Sequence, residues 1–118
     1  MKYLALIYYD PATDTSPTPE SPEFGAFMGE YEAATETYVN DKVMLAGEAL
    51  QDSSSATTVR VRNGKTETID GPYAETKEQL GGFYLFECDN IDEAIKYAAM
   101  IPSAKYGMIE VRPIMSFD

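Results

Sequence analysis

The chain has 118 residues, the size of one ordinary domain (1–118), and its 44% hydrophobic share can build a core without disulfide or metal staples. Twenty Asp and Glu against nine Lys and Arg leave a formal net charge of −11, a surface that repels phosphate backbones and anionic lipid, so neither nucleic acid nor membrane is an expected partner. There is no histidine and one cysteine, Cys88, which removes His-based triads, imidazole zinc sites and any intrachain disulfide.

Taken in chain order, residues 3–9 form a continuous apolar and aromatic run stopped by Asp10-Pro11. The run reads as a central strand covered on both faces. It is too short to span a membrane and no small-residue cleavage site follows it, so the expected compartment is the reducing cytoplasm. Residues 10–22 are rich in Pro, Thr, Ser and acids, a loop expected to be the most mobile part. Ser21, Pro22 and Glu23 then resemble a helix start: N-cap, first helical position and first-turn acid. Phe24, Phe27, Met28, Tyr31, Thr35, Tyr38 and Val39 recur at helical spacing and predict one buried face. The helix is expected to end near Asn40-Asp41, because 43–47 reads as the next strand.

Residues 57–62 and 65–69 flank Asn63-Gly64, and both turn residues tolerate the positive φ of a type I′ hairpin. A polar segment, 70–81, leads into an apolar strand over 82–88, where Cys88 reads as core filling rather than as a nucleophile. Asn90 and Glu93 form a capping-box pair for a second helix, with Ile91, Ala94, Ile95, Ala98 and Ile101 as its apolar face and Pro102 as its stop. The last strand covers 108–112. The order β, α, β, hairpin, β, α, β is α+β and leaves, without the hairpin, the split βαβ pair of a ferredoxin-like fold. Two helices cover one face of such a sheet, so a second copy is expected on the other, giving a homodimer.

The segment 70–84 is distinctive, combining Asp70-Gly71-Pro72-Tyr73, the ionisable Glu75, Lys77 and Glu78, and Gly81-Gly82. The paired glycines remove side chains where another backbone, a partner chain or a ligand comes close. Here the chain resembles the YCII-related proteins, in the subgroup named for an Asp-Gly-Pro-Phe motif, with Tyr73 in place of the phenylalanine. The resemblance extends over the first strand, residues 46–50, the hairpin and residues 106–113. It implies a ferredoxin-like dimeric α+β barrel, in a family whose members are mostly uncharacterised. Many of this subgroup are encoded beside extracytoplasmic-function sigma factors. A few wider relatives are lyase-like enzymes associated with a His-Asp pair. Glu30 falls where their helix histidine would sit and Ile101 where an acid often precedes the proline, so neither role transfers.

Two functional readings follow. In the first, the barrel is a binding or regulatory module whose cleft holds a small molecule, with Tyr73, Lys77 and Arg112 as candidate ligand contacts. In the alternative, it is a cofactor-free lyase or isomerase using Asp70, Glu30 or Glu75 as acid or base. Each residue also has a structural reading. Asp70 caps its own Gly71-Pro72 turn; Glu75, Lys77 and Glu78 are solvated; Arg112 and Glu110 share one side of the last strand and pair with Arg60, Glu87 or a partner chain. Nine tyrosines and five phenylalanines suffice to line an apolar pocket with hydroxyls, or simply to fill the core. The carboxylates are scattered rather than grouped at ligand spacing, so no metal or other cofactor is expected.

Overall fold

The computed structural model describes residues 1–73 and 76–117. In chain order the elements are β1 (Lys2–Tyr9), α1 (Phe24–Asn40), β2 (Met44–Ala49), β3 (Thr57–Arg62), β4 (Lys65–Asp70), β5 (Gln79–Glu87), α2 (Ile91–Ala98) and β6 (Met108–Pro113). Short 3-10 turns cover Ser53–Ser55 and Pro102–Lys105. Four strands form an antiparallel sheet ordered β2-β5-β1-β6, and β3 with β4 form a separate two-stranded arm. Each helix therefore connects strands that have another strand between them, the split βαβ arrangement of the ferredoxin-like fold. Among the described residues, no helix is long and apolar enough to cross a membrane.

The two-residue period of β1 and β5 decides what each face does. Tyr3, Ala5 and Ile7 on β1, and Tyr84 and Phe86 on β5, point under the helices and join Ala34, Tyr38, Ala94, Tyr97 and Ile101 in one core. The intervening Leu4 pairs with Leu85, and Leu6 with Phe83, so these four lie on the opposite face. No helix lies over that face, so within the chain β1 is covered on one side. The chain is consequently a slab of 48 × 46 × 18 Å, with a radius of gyration of 16.3 Å against about 13.5 Å for a compact domain of this length.

Local chemistry accounts for most boundaries, with several corrections. α1 begins at Phe24 behind Glu23, with no side-chain cap. Ser21 is instead committed to the preceding turn, its Oγ accepting the Thr18 N–H at 2.9 Å. Of the predicted stripe, Tyr38 is buried, whereas Met28 and Val39 are exposed and Ala34 takes a core place. The helix ends as expected. Val43 N–H bonds the Tyr38 carbonyl at 3.0 Å and Lys42 N–H the Val39 carbonyl at 3.1 Å. This is a Schellman pattern in which Lys42, at φ 58, occupies the left-handed position usually given to glycine.

The hairpin turn has Asn63 at φ 52 and Gly64 at φ 75, as type I′ geometry requires. At the Gly81-Gly82 pair the close neighbour is backbone: a Cβ on Gly82 would sit 2.7 Å from the Glu48 carbonyl oxygen of β2. α2 is capped by Asn90, whose side chain accepts the Glu93 N–H at 3.0 Å. Its buried face is Ala94, Tyr97 and Ala98, continuing to Ile101, while Ile91 and Ile95 are exposed. Cys88 is buried, and burial pushes its thiol pKa up, which suits a packing role.

Candidate functional site

A cavity of about 820 Å³ opens between the first half of α1 and the ends of β1, β2 and β5. That volume lies within the range of sites for small organic molecules. Its walls come from segments far apart in the chain. Phe27, Tyr31 and Thr35 enter from successive turns of α1, Tyr84 rises from β5, and Tyr106 follows the Pro102–Lys105 turn. The loop after β1 closes one side through Asp14 and Ser16, and the start of the Ser53–Ser55 turn brings Asp52. That loop is held by its own bonds: Asp14 N–H to the Asp10 carbonyl at 2.8 Å, and Ser16 N–H to Asp14 Oδ1 at 3.0 Å.

The apolar surface carries a few convergent polar groups. Tyr31 Oη shares a hydrogen bond with Ser103 Oγ. Thr35 Oγ1 lies 3.3 Å from Tyr84 Oη, and Tyr9 Oη donates to Asp52 Oδ1 at 3.4 Å. The rings are braced by edge contacts, with Phe27 5.4 Å from Tyr31 and 5.7 Å from Tyr106 between centroids. Burial pushes the phenols of Tyr9 and Tyr31 up, so both remain neutral and act as hydrogen-bonding groups rather than bases. Hydrogen bonding from Ser54 holds the Asp52 carboxyl below the usual carboxylate range. Asp52 is therefore an ionised acceptor, not an acid ready to donate a proton.

Of the candidate catalytic and ligand-contact residues, the described ones (Asp70, Glu30, Tyr73, Lys77 and Arg112) do not line this cavity, whereas Gly81 and Gly82 of the same distinctive segment do. Asp70 ends β4, exposed, opposite Thr57. Its turn is held otherwise than expected: Gly71 N–H bonds the Ala56 carbonyl at 2.7 Å and Thr58 Oγ1 donates to the Gly71 carbonyl at 2.8 Å. Among the described residues the Asp70 carboxylate makes no hydrogen bond. Glu30 is exposed and forms an ion pair with Lys105 at 2.8 Å, tying α1 to the turn before β6. Tyr73 is 89% exposed and Lys77 is also exposed. Arg112 pairs with Glu110 of its own strand at 2.8 Å, on the open sheet face, rather than with Arg60 or Glu87. Glu75 lies outside the described residues. Among those described, no three His, Cys, Asp or Glu side chains converge as a metal site.

The residues that do meet are tyrosines, hydroxyls and loop carboxylates, separated by as many as 97 positions from Tyr9 to Tyr106. No local motif marks them; the abundance of tyrosine is the one signal in the sequence.

Residues 1–118, the whole chain, match the YCII-related domain family. The chain belongs to the YCII-related family. It is also similar to an uncharacterised protein of Rhizobium meliloti (strain 1021), 36% identical over 116 residues, which covers 97% of this chain and 92% of the relative. This YCII-related chain therefore aligns with that relative over nearly its whole length.

Proposed function

We propose that this YCII-related protein is a small-molecule-binding module that works as a homodimer of two ferredoxin-like protomers. The observation that carries the binding reading is the 820 Å³ cavity, mostly apolar and fitted with phenol and hydroxyl groups that orient a ligand without supplying a base. The sequence Asp70-Gly71-Pro72-Tyr73 supports membership of the Asp-Gly-Pro-Phe subgroup, and the buried single thiol suits a reducing cytoplasm.

The dimer rests on area. The protomer exposes 8318 Å², against about 6,400 Å² for a folded monomer of 13.1 kDa. The excess, roughly 1,900 Å², is of the size that obligate partners cover. The uncovered face is apolar at its centre, with Leu4, Leu6, Phe83 and Leu85, and charged along one edge, where Glu110 meets Arg112. Such a patch is rarely left exposed by a monomer. Because this face and the cavity lie on opposite sides of the sheet, dimerisation leaves the cavity accessible.

Titration with 2-phenylethanol, followed by amide chemical shifts, tests the binding reading. Shifts should centre on Tyr31, Thr35 and Tyr84, and Thr35→Trp, which fills the space, should abolish them. Shifts confined to other regions would overturn it. Sedimentation should give twice 13.1 kDa, and Leu6→Glu should give a folded monomer. A wild-type monomer would refute the dimer.

A further inference from the structure

The charge distribution around the cavity is one-sided. Between residues 3 and 41, which supply β1, the covering loop and α1, the chain has eight acidic side chains and no Lys or Arg. None of the cavity-lining residues is basic, whereas Asp14 and Asp52 line it from two different loops. Glu48 also borders it, but pairing with Phe83 sends its side chain to the open sheet face. The nearby Lys105 is bound to Glu30 and is not among the lining residues.

Both loop carboxylates are held in place without being neutralised. Asp14 accepts the Ser16 N–H at 3.0 Å and the Ser16 hydroxyl at 2.9 Å. Asp52 accepts the Ser54 N–H at 3.0 Å and the Tyr9 hydroxyl at 3.4 Å. Asp14 thus uses two of about four acceptor positions and keeps the others for a ligand, while Asp52, which Ser53 and the Ser54 hydroxyl also bond, stays ionised. The two act on the same place. Both line the cavity beside Tyr9, whose hydroxyl bonds Asp52 and whose phenol is pushed up first by burial, then by the Asp52 charge and hydrogen bond, and last by the Asp14 charge.

From this geometry we propose that the cavity recognises an organic cation, an amine with an apolar body. The ammonium group sits at the end formed by Tyr9, Asp14 and Asp52, and the body lies among Phe27, Tyr31 and Tyr84. The aromatic walls contribute in two ways, by burying the body and by offering negative ring faces to the charge. The net charge of −11 on the chain raises the local concentration of cations and repels anions. The inference rests on the cavity being a ligand site and adds the class of ligand.

The test uses one skeleton with three charges on the intact protein: 2-phenylethylamine, 2-phenylethanol and phenylacetate. Affinity is read from amide shifts of Tyr31, Thr35 and Tyr84 at neutral pH and low salt. The amine should bind about tenfold tighter than the alcohol, and phenylacetate more weakly than either. Raising salt to roughly 0.5 M should narrow the preference for the amine, since only the charged probe is screened. In the double variant Asp14→Asn, Asp52→Asn the amide oxygens still accept the Ser16 and Ser54 N–H bonds. Alcohol affinity should therefore persist while the preference for the amine disappears. Phenylacetate binding as tightly as the amine, or a preference that survives both salt and the double variant, would overturn the cation assignment while leaving the cavity as a binding site. Failure of all three probes to move these resonances would overturn both.

Discussion

Tyr38 links the two helices to the sheet, and two substitutions at this position separate what its hydroxyl and its ring contribute. The side chain is fully buried. Its hydroxyl donates to the Tyr97 carbonyl at 2.7 Å, and its ring meets those of Phe86, Tyr84 and Tyr97 at centroid distances of 4.8, 5.2 and 5.9 Å. Tyr38→Phe removes the donor but does not orphan the acceptor, because the Tyr97 carbonyl also receives the Met100 N–H at 3.1 Å. The expected cost is the net value of one hydrogen bond, about 0.5–1.5 kcal/mol. Tyr38→Ala removes the ring from a closely packed aromatic cluster and should cost about 3–5 kcal/mol. That is a large share of the roughly 6–18 kcal/mol expected for a chain of this length. Urea denaturation at one fixed protein concentration measures both. The order Ala far below Phe, with Phe just below wild type, is the expected result. A phenylalanine variant as unstable as the alanine variant would refute the reasoning, because the hydroxyl rather than ring packing would then hold the junction.

Three further expectations follow from individual residues. Lys42→Gly relieves a left-handed lysine in the Schellman turn and should stabilise the protein by about 0.5–1 kcal/mol; a neutral or destabilising result in the same denaturation assay would count against this. Gly64→Val forces a β-branched residue to φ 75, and the cost should fall on the separate β3–β4 arm. Hydrogen exchange of arm amides should accelerate by about tenfold or more while β1 and β5 stay protected, and unchanged arm protection would refute it. Tyr97 donates to Asp41 Oδ2 at 2.8 Å, and that bond is the main cause of its phenol being pushed up from 10.0 to about 12. Folding favours the neutral phenol, so this contribution is complete below pH 10 and is lost as pH rises through about 12. Tyr97→Phe should therefore flatten the alkaline fall in stability over that window, and an equally steep fall would contradict the assignment.

What the sequence determined by itself is what neighbouring residues decide among themselves. The Asn63-Gly64 turn, the Asn90 cap, the end of α1 and strand β1 need only a few adjacent residues, and each stands where expected, while β5 begins at Gln79, three residues before the expected strand. Local chemistry was misleading where two local partners competed. Ser21 has the composition of an N-cap, yet its hydroxyl serves Thr18 in the turn before the helix. Periodicity identified α2 but not its rotation. Of the expected face, Ala94, Ala98 and Ile101 are buried but Ile91 and Ile95 are exposed, because Tyr97 packs in their stead against Phe86 and Tyr38. The cavity was the least legible feature. The distinctive acidic and glycine-containing segment drew attention to Asp70 and Tyr73, which the fold leaves exposed beyond the cavity. Tyr9, Tyr31, Asp52 and Tyr84 carry no motif, and they become one site only because strand order 2-5-1-6 brings the ends of β1, β2 and β5 beneath α1. Contacts of that range depend on the whole packed sheet, which no short stretch of sequence specifies.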